Sequence, residues 1–151
     1  MEESNTTILY SFNLKIERGK IYDRNGTLLS SGLRFGEGHL FHRHQHVNGQ
    51  GPVLCSLAAA TPTGVFDLQN IGAFSVRGLC LFMHESGNQT IDAERLSIML
   101  ETAQQLSEGL NAHLLDESRQ PLTEHSLQNY YRRLRLSDNH DQSETKECAS
   151  A

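Results

Sequence analysis

Asn48-Gly49 lies between two strand-like runs, Leu33–His46 and Pro52–Ala60. The dipeptide accepts positive φ at both central positions of a tight turn, the geometry that folds one strand back on another. With the turn-rich segment Val47–Gly51 as the reversal, Gly32–Ala60 is committed to an antiparallel pair, and the rest of the chain must extend or cover it. Side chains alternate across a strand. Val53, Cys55, Leu57 and Ala59 therefore share one side of the second run and Leu54, Ser56, Ala58 and Ala60 the other. The first set has the bulk of a core. The second is apolar but small.

Outside this pair, Met1–Asn5 is a polar lead-in. Thr6–Lys15 alternates with Ile8, Tyr10, Phe12 and Leu14 on one side and Leu9, Ser11 and Asn13 on the other, which predicts a strand. Glu17–Ser31 offers Ile21, Leu28 and Leu29 to a short helix interrupted by Gly19 and Asn25-Gly26. Leu79–Met83 is an apolar run of strand length, with Phe82 pointing away from the side of Leu81 and Met83. Thr90–Leu110 repeats Leu96, Met99, Leu100, Ala103, Leu106 and Leu110 at helical steps, with Asp92 near its start and Gly109 and Asn111 as its stop. Ala112–Leu115 is a short strand. Thr123 is an N-cap for a helix over Glu124–Leu136 that carries Leu127, Tyr130, Tyr131 and Leu134 on one stripe. Ser137–Ala151 has no apolar residue able to anchor it and reads as a disordered tail.

Hairpin-linked strands with few helices predict an α+β fold: one domain over residues 6–136, helices on one face of a mostly antiparallel sheet. A chain of 151 residues is enough to close one core. Its formal charge of −5 speaks against nucleic acid, which needs a concentrated basic field; Arg132, Arg133 and Arg135 form one basic cluster and read as a solvated helix end. Cys55, Cys80 and Cys148 are far apart with no CxxC spacing, as in a reducing compartment. No apolar run approaches the roughly 18 to 20 residues that span a bilayer.

His42, His44 and His46 fall on one face of the first run and are the most metal-like pattern in the chain. Gly36, His42 and His44 match the start of a cupin-type motif, but Asn48 and Gly49 stand where its glutamate belongs. Without a carboxylate the set falls short of the usual three- or four-ligand cage, so no metal is assigned. Cys55 and Cys80 sit in apolar runs that raise a thiol's pKa, and neither a GxSxG elbow nor a phosphate-binding loop is present. Glu37, Glu101 and Asp116 are isolated carboxylates. These features assign no catalytic residue, no cofactor and no enzyme activity.

What stands out instead is the second, apolar side of the sheet. If helices cover only one face, Leu40, Leu54, Ala58, Ala60, Phe82 and Ile8 make an exposed apolar patch, and such patches usually mark interaction sites.

The segments GLRFGEGHLFHRH (32–44), GPVLCSLA (51–58), Gly64-Val65-Phe66-Asp67, Gly78-Leu79-Cys80-Leu81-Phe82-Met83 and MLETAQQLSEGLNAHLLDESRQPLTE (99–124) resemble, in sequence and in order, the C-terminal domain family of ZipA. ZipA proteins tether the bacterial division protein FtsZ to the inner membrane. The resemblance runs from about Ile8 to Leu136. It implies a six-stranded antiparallel sheet with about three helices on one face. It also implies a shallow hydrophobic cleft on the other, where the family binds the C-terminal tail peptide of FtsZ, partly extended and partly helical.

Transferred position by position, the cleft residues are Ile8, Tyr10, Gly38, Leu40, Ala58, Ala60, Pro62 and Phe82, with Leu40 and Phe82 carrying most of the affinity. Gly38 and Ala60 stand where the family often has methionine, and Pro62 where it can have lysine. Each lost methionine removes apolar contact worth about 1–3 kcal/mol when well buried. Family members also carry an N-terminal membrane helix and a long linker, whereas this chain begins almost directly at the first strand. The resemblance further implies a monomer without bound cofactor, working at the cytoplasmic face of the inner membrane at the division site. Two alternatives stay open: a small metal-dependent enzyme using His42, His44 and His46, and a homologous fold that has lost FtsZ binding.

Overall fold

The alternation at the start of the chain becomes strand β1 (Leu9–Ile16), with Tyr10, Phe12, Leu14 and Ile16 buried and Leu9 and Lys15 exposed. A computed structural model of the protein describes residues 8–16, 25–46, 49–67 and 76–141. The expected irregular helix is the six-residue α1 (Asn25–Ser30); Ile21, and with it the segment 17–24, lies outside the described residues.

The run Leu33–His46 is two strands rather than one. β2 (Leu33–Phe35) ends at Gly36, a 3-10 turn (Glu37–His39) reverses the chain, and β3 (Phe41–His44) returns antiparallel with Phe35 opposite Phe41. The reversal needs left-handed backbone at Gly38 (φ 74°), which glycine adopts without steric penalty. The expected turn at Asn48-Gly49 is described only at Gly49, since Asn48 lies outside the described residues; the Gly49 N–H donates to the His46 carbonyl at 3.0 Å.

β4 (Val53–Ala59), β5 (Gly78–His84) and β6 (Ala112–Leu115) complete a six-stranded sheet in the order β2-β3-β4-β5-β1-β6, every neighbouring pair antiparallel. Register slips between Arg43 and His44, so that Arg43 faces Cys55 while His44 faces Val53. This bulge corrects one expectation. Val53 leaves the core side of Cys55, Leu57 and Ala59 and is 41% exposed.

The long helix α2 (Gln89–Leu110) spans the sheet, packing on β1, β4, β5 and β6. Its buried stripe, Leu96, Met99, Ala103, Leu106 and Leu110, meets Phe12, Leu14, Leu57 and Leu81 in one core. A fully buried side chain of this size contributes about 1.5–3 kcal/mol. Asn88 is the N-cap, its side chain accepting from the Ile91 N–H at 3.1 Å, and Asp92 lies in the first turn, as expected. Asp92 is buried and binds the Ser86 N–H and hydroxyl and Arg95. Asn111 ends the helix in the left-handed conformation. Gly109 does not stop it; it lies within α2, where α1 crosses.

Helix α3 (Glu124–Asp141) starts at Thr123, whose hydroxyl accepts from the Ser126 N–H at 3.1 Å. It packs on α2, and its Tyr130 ring stacks on Phe12 of β1 with centroids 5.1 Å apart. The helix runs on to Asp141, past Ser137, where the sequence places the start of a disordered tail.

Candidate functional site

With helices on one side, the residues of opposite parity form the other side of the sheet. Cross-strand register orders them in rows. Arg34, His42, Ser56, Phe82 and Ser11 form one, and Ala58, Cys80, Asn13 and Leu115 the next. Beyond these, Gly78 pairs with Lys15 and Lys15 with His113, while the Ala60 N–H donates to the Gly78 carbonyl at 2.9 Å. At the opposite end Leu9, 45% exposed, pairs with His84, whose ring lies 6.1 Å from that of Phe82.

This face brings together Ala58, Ala60 and Phe82, with Pro62 exposed in the loop that follows β4. Leu40, half-buried, lies just before β3, and Gly38 lies beside Leu40 in the 3-10 turn. Ile8 and Tyr10 are on the other side. Tyr10 is fully buried beneath the helices with Phe12 and Leu14, and Ile8 packs against the same core. The reason is parity: in β1 every even residue faces α2 and α3, which leaves Leu9, Ser11 and Asn13 on the open side. The alternation that pairs Tyr10 with Phe12 and Leu14 was the signal.

The histidines on this face are hydrogen-bonded into it. His42 Nε2 is 2.8 Å from the Glu37 carbonyl, which only accepts, so Nε2 carries the proton. Nδ1 then accepts a hydrogen bond from the Ser56 hydroxyl at 2.7 Å. His42 thereby ties the turn bearing Gly38 to the middle of the sheet. His44 donates from Nδ1 to the Gly51 carbonyl at 2.9 Å, and the His42 and His44 rings meet edge-on at 6.3 Å. Among the described residues no group of three or more His, Cys, Asp or Glu side chains is placed to hold a metal ion. Burial pushes the Cys55 thiol up to about 12, only partly offset by Arg43 and Arg95. Burial also raises Cys80, against the lowering influence of the Ser11 hydroxyl and the Arg119 charge. Both thiols therefore stay protonated at neutral pH.

Where the face meets β6 it deepens into a groove of about 1130 Å³. Ala60, Gly78, Pro62 and Pro121 are among its lining residues, and Lys15, Arg77, His113 and Arg119 supply polar groups. Sequence reasoning placed only Ala60 and Pro62 here. The basic residues escaped it because they come from four separate segments that only the sheet brings together. Gly78 lets the strands approach closely: a Cβ there would lie 3.1 Å from the Ala60 Cβ. Arg119 is held in left-handed backbone (φ 65°), a conformation that costs a non-glycine residue about 1–2 kcal/mol. Asp116 enforces it. Its carboxylate accepts from the Ser118 and Gln120 N–H groups at 2.8 and 2.9 Å, and its carbonyl accepts from the Arg119 N–H at 2.9 Å. Asn13 of β1 donates to that same carbonyl at 3.0 Å, which fixes the loop to the face.

A two-layer α+β domain with three helices on one face and a bare, partly apolar sheet on the other is thereby defined. The profile described as "ZipA, C-terminal FtsZ-binding domain" matches residues 10–133, and the chain belongs to that family. It is 39% identical over 107 residues to the cell division protein ZipA of Pseudomonas putida, covering 71% of this chain and 36% of that protein. Against the ZipA of Shewanella denitrificans it is 42% identical over 108 residues, 72% of this chain and 32% of the relative. The ZipA of Azotobacter vinelandii is 37% identical over 108 residues, 72% of this chain and 38% of the relative. The chain thus spans about a third of the length of these relatives. Among the described residues no helix is long and apolar enough to cross a membrane.

Proposed function

We propose that this domain is a non-enzymatic cell-division adaptor that docks the C-terminal tail peptide of FtsZ on the open face of its sheet and so supports Z-ring assembly and septation. The observation that carries this reading is the sidedness of β5: Leu79, Leu81 and Met83 are buried under the helices, while Phe82 stands half-buried on the uncovered side, in register with Ser56 and Ser11 and with its ring against that of His84. Family membership supports FtsZ as the partner. The tail buries apolar side chains against Phe82 and Leu40 as a peptide laid in a groove does, without chemistry, cofactor or nucleic acid, and the domain acts as a monomer. In a full-length family member the site of action is the cytoplasmic face of the inner membrane at the division site.

Phe82→Ala tests this. Its side chain lies outside the core, so the fold persists while calorimetry with the FtsZ tail peptide of the same organism records an affinity loss of about 30-fold, the size of an aromatic hot spot. Unchanged affinity overturns the assignment of the face.

A further inference from the structure

We infer that the groove between the β4–β5 end and β6 receives a carboxylate-bearing peptide segment, with Lys15 and Arg119 as its main cationic contacts. This deepens the docking reading above and rests on it for the identity of the natural ligand. Three of the chain's 13 Lys and Arg residues, Lys15, Arg77 and Arg119, line this one groove, and no Asp or Glu is among its lining residues. Among the described residues none of the three is held in an ion pair. The nearby acids are engaged elsewhere: Asp116 caps its own loop, and Glu117 forms a bidentate pair with Arg133 at 2.8 and 3.0 Å. A positive groove in a protein of net charge −5 is a local reversal of sign, which selects an acidic segment and speeds its encounter.

Two further observations point the same way. Arg119 is set in a strained conformation that glycine would adopt freely, so the loop is built to present this guanidinium rather than merely to turn. The groove is also continuous with the proposed apolar site: Asn13 and Ala60 belong to both, and the Arg119 charge reaches Cys80 beside Ala58. A peptide lying along the face can place apolar residues near Phe82 and an acidic one here. A peptide fits better than nucleic acid, because no Phe, Tyr or Trp lines the groove to stack a base.

Two arms test the inference separately from the identity of the partner. In the first, hexaglutamate is titrated into the ¹⁵N-labelled domain. The amides of Lys15, Arg77, Gly78 and Arg119 are expected to shift, and the shifts to vanish in the Lys15→Gln/Arg119→Gln double variant. Shifts centred on Arg132 and Arg135, no shifts, or stronger perturbation of the same amides by single-stranded oligonucleotide or phosphatidylglycerol vesicles overturn it. In the second, FtsZ-tail affinity is measured at low and high salt. The double variant is expected to lose about fivefold to tenfold at low salt and to flatten the salt dependence, with high-salt affinity kept. Phe82→Ala lowers affinity at both. If the double variant matches the parent while Phe82→Ala does not, the groove inference falls and the docking reading stands. If the tail binds neither protein, the docking reading falls and hexaglutamate alone decides the groove.

Discussion

The Tyr130 hydroxyl of α3 donates to the main-chain carbonyl of Ser11 at 2.7 Å, across 119 positions of sequence. The contact exists because β6 is short. It pairs with β1 only from Asn13 to Ile16, which leaves the outward carbonyls of Leu9 and Ser11 without a strand partner. Helix α3 supplies what the strand does not: Tyr130 takes the Ser11 carbonyl and Arg133 the Leu9 carbonyl at 3.3 Å. The same hydroxyl accepts from the Glu117 N–H at 2.8 Å, so one oxygen joins β1, α3 and the loop that carries Arg119.

Tyr130→Phe therefore strips a partner from two main-chain groups while keeping the ring that stacks on Phe12. The expected loss is about 1–3 kcal/mol, read as a lower urea midpoint with the slope unchanged. A midpoint equal to the parent's would mean that water replaces the hydroxyl at both sites.

Gly109→Ala is expected to destabilise the domain although it replaces the poorer helix former. In an exposed helix alanine would gain about 1 kcal/mol. Here the new Cβ would collide with the Thr27 methyl of α1. Displacing α1 is expected to cost about 1–3 kcal/mol. Adding Thr27→Ala removes the methyl and hydroxyl and leaves the Cβ contact at 3.3 Å, so the double variant recovers most of the loss. A double-mutant cycle in chemical denaturation measures the coupling.

Alkaline pH unfolds the domain through groups that are held protonated. Burial, with the Glu85 carboxylate adding to it, raises Tyr10 from 10.0 to about 12, and burial raises Cys55 from 9.0 to about 12. Tyr130 moves in the same direction, also through burial. In each case the unfolded chain gives up its proton first. For Tyr10 and Cys55 the contribution to stability is thus complete below about pH 9, falls as pH rises through the unfolded values, and is gone above about pH 12. The melting temperature is expected to decline across that window, as helical circular dichroism is lost. In a Tyr22→Phe/Tyr131→Phe background, where Tyr10 and Tyr130 are the remaining tyrosines, tyrosinate formation at pH 10 with the fold intact would contradict the burial of Tyr10.

Sequence alone made the long helix, β1, β5 and the covered-and-bare layout legible, because each is written in a local period. The split of Leu33–His46 was not, and parity explains why. The reversal consumes Gly36–Leu40, an odd number of residues, so Leu33, Phe35, Phe41 and Arg43 keep one parity and one face, and the alternation looks unbroken. Gly36 and Gly38 were the only local marks of the turn. The bulge that exposes Val53 depends on the fit between β3 and β4 and has no local signature. On the bare face, Ala58, Ala60 and Phe82 followed from alternation. Tyr10 was misplaced because positional transfer overrode the alternation that put it with Phe12. The basic groove assembles only when β1, β6 and two loops meet.

The two positions where the family often has methionine allow a test of how deep the face is. Ala60 is exposed, lines the groove and sits beyond the end of β4, so Ala60→Met adds a flexible apolar side chain with room to lie over a docked peptide. Burying it would strengthen FtsZ-tail binding by about 1 kcal/mol or more, roughly fivefold. Gly38→Met adds the same side chain at φ 74°, where any L residue costs about 1–2 kcal/mol of backbone strain. That strain falls on the turn held by His42 and offsets the gain, so Gly38→Met is expected to leave affinity near the parent value and lower the melting temperature. Calorimetry of both variants separates the effects. Equal gains at the two positions would mean that the turn relaxes on binding, and no gain at Ala60 would remove the β4 end from the docking face.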